Sequence, residues 1–220
     1  MILYYITDRI ALASDEPTRR RRLLAKIAEA ARAAVDYIQL REKDLPTREL
    51  EALAWEAIRV IAQLGRENRE PRTRLLVNSR TDVALAAGTD GVHLRSEDVS
   101  PEDVKQIWTK WSERASAREN SPPVPLIGVS CHSREEVAKA STSAASFAVF
   151  APVFEKGNVP PAGLKPLTDA CKEKIPVLAL GGITIENARS CHEAGAAGIA
   201  AIRLFQDNSI QEIVKALRRG

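Results

Sequence analysis

The chain reads as an α/β protein, a single (β/α)8 barrel of the TIM type spanning residues 1–220, and three observations lead there. Eight short runs rich in aliphatic, β-branched or aromatic residues alternate with amphipathic stretches, so that a helix follows every strand. Strict alternation of this kind needs parallel strands joined by right-handed crossovers. The length of 220 residues accommodates eight such units as one closed domain. Polar and charged residues gather just after the strands, where such barrels build their sites. An open doubly wound sheet is the alternative architecture.

Taken in order, LYYIT (3–7) is the first strand, and a basic helix over 18–34 follows it. YIQLR (37–41) leads to a helix over 47–64, and RLLVN (74–78) to the two-turn stretch 81–88. GVHL (91–94) precedes 101–111, and LIGVSC (126–131) precedes 133–141. FAVFAPVF (147–154) precedes 164–174, VLALGG (177–182) precedes 186–195, and GIAAIRLF (198–205) leads to the closing helix 209–219. Two charged or proline-rich connections, 65–74 and 112–125, run from helix to strand and belong on the face away from chemistry.

Composition narrows the function classes. A formal net charge of +3 and a pI near 8.8 suit anionic small molecules but fall short of a nucleic-acid footprint. The run Arg19 to Arg22 opens a helix against its dipole and reads as a solvated face. Cys131, Cys171 and Cys191 form no close pair, so neither a disulfide framework nor a zinc knuckle is expected, and a reducing cytoplasm is the expected compartment. MILYYITDRI reads as a strand rather than a leader, and nothing later resembles a membrane span. Association into a homo-oligomer is compatible with all of this.

The stretch YIQLREKD ends a buried strand in four consecutive charges. Side chains alternate across a strand, so Ile38, Leu40 and Glu42 share one face while Gln39, Arg41 and Lys43 share the other. Two cations aimed into the barrel mouth call for a phosphate or pyrophosphate; the bland reading is a solvated charge run. Gly181 and Gly182 end the seventh strand where bare backbone N–H groups can cradle a phosphate, and Arg203 near the end of the eighth lies beside them. Gly-Gly is also what any tight turn there would use. Ser130 and His132, two apart, form a candidate proton-transfer pair, or His132 caps the next helix. His93 reads as a hydrogen-bonded core histidine and His192 as a surface one. Asp98 could hold magnesium or cap the helix beginning at Pro101.

Seven motifs in this order and spacing resemble the thiamine phosphate synthase and TenI family: YYITD, YIQLREKD, GVHL with an acidic turn, GVSCHSREEV, PVFE, IPVLALGGI and AGAAGIAAI. The resemblance implies a (β/α)8 barrel of thiamine biosynthesis. Its synthase branch joins a hydroxymethylpyrimidine pyrophosphate to a thiazole phosphate with magnesium, releasing pyrophosphate. Its TenI branch tautomerises a carboxythiazole phosphate. Carried over, Gln39 would contact the pyrimidine, Arg41, Lys43 and Asn78 would hold pyrophosphate, and Asp98 would match a magnesium ligand. Ser130 would line the site, Gly182 would contact the thiazole phosphate, and His132 would match the tautomerase histidine.

Three departures matter. The family's synthases usually carry Asn-Asp after the third strand, whereas this chain has Asn78-Ser79; their Thr-x-Thr-Lys after the sixth strand is EKGNVPPAG here; and a serine at the eighth strand end is Arg203. Serine is a poor magnesium ligand beside a carboxylate. A tautomerase needs only an anion anchor and a positioned acid or base. The residues therefore tip toward a TenI-like tautomerase. A magnesium-dependent synthase, with Asp44, Glu97 and Asp98 as metal donors, is the alternative, and a non-catalytic thiazole or thiamine phosphate sensor the third reading.

Overall fold

Eight parallel strands close in sequence order: β1 (Ile2–Ile6), β2 (Tyr37–Leu40), β3 (Arg74–Asn78), β4 (Gly91–Leu94), β5 (Leu126–Cys131), β6 (Phe147–Phe150), β7 (Val177–Leu180) and β8 (Gly198–Ala201). The seam pairs Ile2 with Gly198 and Tyr4 with Ala200. The computed structural model describes residues 1–68, 73–116, 124–155 and 160–219. The middles of the two charged connections, 69–72 and 117–123, and residues 156–159 of the segment after the sixth strand lie outside the described residues.

Around the sheet run α1 (Glu16–Arg32), α2 (Thr47–Asn68), α3 (Thr81–Ala87), α4 (Pro101–Ser116), α5 (Arg134–Ser141), α6 (Leu164–Ala170), α7 (Ile185–Glu193), the short α8 (Arg203–Gln206) and α9 (Ile210–Arg219). Local chemistry starts them. The Asp15 carboxylate accepts from the Thr18 N–H with Pro17 in the first turn of α1, Ser133 caps α5, and Thr184 and Asn187 form a reciprocal capping box on α7.

The pleat sorts side chains into two cores. Tyr4, Ile6, Leu76, Phe147, Val149, Leu178 and Ala200 fill the lumen, while Leu3, Tyr5, Ile38, Leu40, Val77 and their outward neighbours meet the helices. Within the lumen Tyr37 stacks on Phe147 at 5.3 Å and Tyr4 meets Phe147 edge-on at 5.4 Å. These rings plug the barrel, so polar lumen groups find room only toward the mouth.

Three elements differ from the sequence expectation. The sixth strand stops at Phe150 rather than at residue 154. A 3-10 turn, Arg9–Leu12, precedes α1. The eighth strand ends at Ala201, and Arg203 opens α8 instead of extending it. Leu204, Phe205 and Gln206 are all buried, which a strand cannot do on one face but a helical turn folded over the mouth can. Gln206 then fastens that turn to β1 and the segment after it: its amide accepts from Tyr5 Oη and from the Asp8 N–H at 3.2 Å, and donates to the Asp8 carbonyl at 2.9 Å.

The outward face of β2 explains half of its charge run. Glu42 is 4% exposed and Arg9 2% exposed. Thr7 Oγ1 donates to the Glu42 carboxylate, which also takes the Arg9 N–H at 3.0 Å and the guanidinium at 3.4 Å. Arg9 forks onto Asp44 at 2.7 and 2.9 Å and reaches Glu16 at 2.9 Å. Burial pushes the Glu42 carboxyl up, against the pull of Thr7 and Arg9, whereas the Arg9 fork holds Asp44 below the usual carboxylate range. Removing one partner of a buried pair leaves the other charge uncompensated. Glu42→Ala should therefore cost about 3 kcal/mol in urea unfolding, while Asp44→Asn, on a carboxylate side chain 44% exposed, should cost less than about 1 kcal/mol. Equal losses would refute Glu42 as the buried partner on which Arg9 depends.

Candidate active site

On the β7–β8 side of the mouth lies a cavity of about 340 Å³ lined by Asp8, Arg41, Gly181, Gly182, Ile202 and Arg203 among others. Gly181 and Gly182 adopt φ of +103° and +62°. A Cβ on Gly182 would meet the Glu155 carbonyl oxygen at 2.7 Å and Phe154 Cβ at 2.8 Å. Glycine is thus demanded by the turn and by the segment packed on it, whose Val153 and Phe154 N–H groups donate to Leu180 and Gly181. Two arginines, Arg41 and Arg203, thus border one concave wall together with Asp8.

At the ends of β2, β3 and β4 a second cavity, about 210 Å³, is lined by Lys43, Asn78, Ser79, Arg80 and Arg95 together with Glu42 and three leucines. The sequence grouped Arg41 with Lys43 and Asn78; the structure separates them, with Arg41 facing the glycine cavity and Lys43 this one. Gln39 is buried in the lumen and donates to Asn78 Oδ1 at 3.0 Å. Asn78 donates to Ser79 Oγ at 3.0 Å, and Arg95 Nε donates to the same oxygen at 3.0 Å. Arg95 also clasps Asp98, through Nη2 to Oδ1 at 3.0 Å and through its backbone N–H to Oδ2 at 2.7 Å. Burial pushes the Asp98 carboxyl up, but the bonds from Arg95 and Ser79 outweigh it and hold the group below its ordinary value.

This donor set is the test of the magnesium ion that the resemblance implies at Asp98. Magnesium often takes only one or two carboxylates and completes its shell with water and substrate phosphate. Here Ser79 is neutral, both Asp98 oxygens are engaged by Arg95, and a guanidinium sits 3.0 Å from each side chain, where it would repel a dication. Asp44 is committed to Arg9, and among the described residues no group of three or more His, Cys, Asp or Glu could hold a metal ion. The residues do not fit the ion, and Asp98 is an arginine partner rather than an open ligand.

The expected Ser130–His132 pair is likewise rearranged. Ser130 Oγ lies 2.9 Å from His93 Nε2, and His93 Nδ1 lies 3.2 Å from Tyr4 Oη. Exposed His132 instead places Nδ1 2.7 Å from the Ala151 carbonyl, while its backbone N–H donates to Glu136 at 2.6 Å. A carbonyl only accepts, so Nδ1 of His132 carries a proton, and Nε2 is the ring nitrogen not engaged by Ala151. Ser130, with Asp98, also borders a groove of about 530 Å³ running between α4 and α5. His93 was legible as a buried, hydrogen-bonded histidine; its link to Ser130 was not. Arg80 and Arg95 were missed although they stand within two residues of the ends of β3 and β4, the position that located the other candidates.

Burial pulls the His93 imidazole down from 6.5 to about 4, so it is neutral at neutral pH. Between those two values the unfolded chain takes up a proton that the folded chain refuses. The stability this lends is present above about pH 6.5 and is lost as pH falls toward 4. The loss amounts to about 3 kcal/mol. Urea titrations at about pH 7 and about pH 4.5 should show a smaller difference in His93→Gln than in the parent. Parallel losses in the two proteins would show that His93 titrates near its ordinary value.

With this geometry in place, comparison with known proteins gives a consistent result. A family model described as thiamine monophosphate synthase matches residues 3–205. A putative thiamine-phosphate synthase of Geobacter sulfurreducens is 39% identical over 98% of this chain and 92% of its own. A thiamine-phosphate synthase of Syntrophomonas wolfei is 35% identical over 99% and 94%. The solved thiamine phosphate pyrophosphorylase from Pyrococcus furiosus superposes with a TM-score of 0.76 at 31% identity, covering 99% of this chain and 94% of that one. The seven motifs, the closed barrel and these full-length likenesses lead to one conclusion: the chain belongs to the thiamine monophosphate synthase family.

Proposed function

We propose that the protein condenses a hydroxymethylpyrimidine pyrophosphate with a thiazole phosphate, forming thiamine phosphate and releasing pyrophosphate. The observation that carries this reading is the presence of two separate cation-lined cavities at the C-terminal ends of the strands, the first beside Gly181, Gly182 and Arg203, the second beside Lys43, Arg80 and Arg95. Joining the two substrates needs one site for a pyrophosphate and another for a phosphate, whereas the carboxythiazole phosphate brings a single phosphate and a carboxylate, which calls for fewer cations. The synthase names of the relatives support the same choice over the tautomerase that the residues alone favoured.

In this reading the thiazole phosphate rests on the glycine backbone and Arg203, and the pyrimidine lies over Gln39 and Asn78. The bond from the pyrimidine methylene to the pyrophosphate oxygen breaks, its electron pair leaving on that oxygen. The thiazole nitrogen forms the new carbon–nitrogen bond. Lys43, Arg80 and Arg95 meet the charge on the departing group, and fixed donors aimed at developing charge are the usual large contribution to such a step. Holding both substrates in one cup supplies the rest through proximity.

A second reading, the thiazole tautomerase, is favoured by one observation: His132, anchored by its Nδ1–H to the Ala151 carbonyl, has Nε2 available to move a proton. Incubation with both synthase substrates separates the readings. Thiamine phosphate should form at about 1 s⁻¹ or faster, and Arg203→Ala should raise KM for the thiazole phosphate by about tenfold, the worth of one charged hydrogen bond, while leaving KM for the pyrimidine substrate little changed. Proton exchange on the carboxythiazole phosphate without condensation, lost in His132→Asn, would establish the tautomerase instead. Tight binding with neither turnover would make the protein a sensor.

A further inference from the structure

We propose that the Arg95 guanidinium is a built-in cation at the mouth of β3 and β4, occupying the place a divalent ion would need, so that the protein binds pyrophosphate without metal. The inference deepens the synthase reading and rests on its assignment of the second cavity to the pyrophosphate. Charge arithmetic supports it. A dication between two carboxylates sums to zero; Arg95 between the Asp98 carboxylate and the neutral Ser79 hydroxyl also sums to zero. The loss of one negative ligand is matched by the loss of one positive charge, and the local field that an arriving anion meets has the same net value.

Geometry supports it as well. Ser79 holds φ of +61° and donates its N–H to the His93 carbonyl at 2.8 Å, which fixes its hydroxyl between Asn78 and Arg95. Arg95 uses Nε and one Nη2 hydrogen on Ser79 and Asp98. Its side chain is 51% exposed, against 10% for Asp98, so the carboxylate is the inward anchor, and Arg95 borders both the cavity it shares with Lys43 and Arg80 and the groove beside Ser130. A planar fork anchored along one edge and open along the other is suited to bidentate phosphate oxygens. Arg80 is itself tethered, through Nε to Asp82 at 2.8 Å and through Nη2 to Thr47 at 3.0 Å, so the wall beside Arg95 is held in position.

Calorimetric titration of the full chain with inorganic pyrophosphate tests this, once in excess EDTA and once in magnesium. Binding should persist in EDTA, with Kd changed less than about threefold by magnesium; Arg95→Ala should weaken it by about tenfold or more, the range for a charged contact. Adding Ser79→Asp to Arg95→Ala, which restores two carboxylates with no guanidinium between them, should make binding magnesium-dependent. If Arg95→Ala does not fold, Arg95→Lys keeps the charge but loses the fork, and should weaken binding by about threefold. Binding that requires magnesium in the parent, or a folded Arg95 variant with unchanged Kd, would overturn the proposal. Failure of the condensation assay alone would not, because pyrophosphate binding is read without turnover.

Discussion

Closure of the sheet between β1 and β8 imposes one constraint on every other part of the molecule: each side chain must belong either to a lumen of fixed width or to the shell beneath the helices. Tyr4, Tyr37 and Phe147 use up the lower lumen with three rings in mutual contact. Whatever polar group a strand points inward must then lie near its C-terminal end, where water and ligand can reach it. Gln39, Asn78, His93 and Ser130 sit there, joined pairwise by hydrogen bonds, because an unpaired amide or imidazole at that depth would lose more in desolvation than it gained.

The same constraint resolves the charge run after β2. Four ionic residues in sequence are divided by the pleat and by the turn into three environments. Glu42 goes outward and is buried against Arg9 and Thr7, which ties the segment after β1 to the segment after β2. Arg41 stays with the glycine cavity, its N–H accepted by Thr7 Oγ1 at 3.0 Å. Lys43 borders the second cavity, and Asp44 returns to Arg9. A buried carboxylate thus lies in sequence between two cations that border different cavities, and that pair of cavities is what supports the proposed condensation.

Of the three departures from the family pattern, the one at position 79 is matched by a visible rearrangement of its neighbours. Position 79 carries serine, and the structure fills the gap with Arg95 rather than leaving Asp98 open. The string RSED contains one partner of that arginine, Asp98, three positions on, but nothing in it announces the other, Ser79, sixteen positions back, a contact that exists only because β3 and β4 lie side by side.

By itself the sequence determined the element order, the closure and the faces of the strands, because hydrophobic period and chain alternation are local properties that parallel pairing converts into a barrel with few alternatives. It also determined that Gly181 and Gly182 would end β7 in a turn that side chains resist. Where the pattern misled, as in extending β8 through Phe205, an apolar run looked like strand while the mouth needed a covering helical turn. The pairing of polar groups was decided only by the tertiary structure. His93 lies level with Gly128 in the β4–β5 register, so Ser130, one pleat period further up, comes within reach of the imidazole while the adjacent-looking His132 turns to Ala151. Partners in a barrel are chosen by the stagger between neighbouring strands, a quantity no short window of sequence contains.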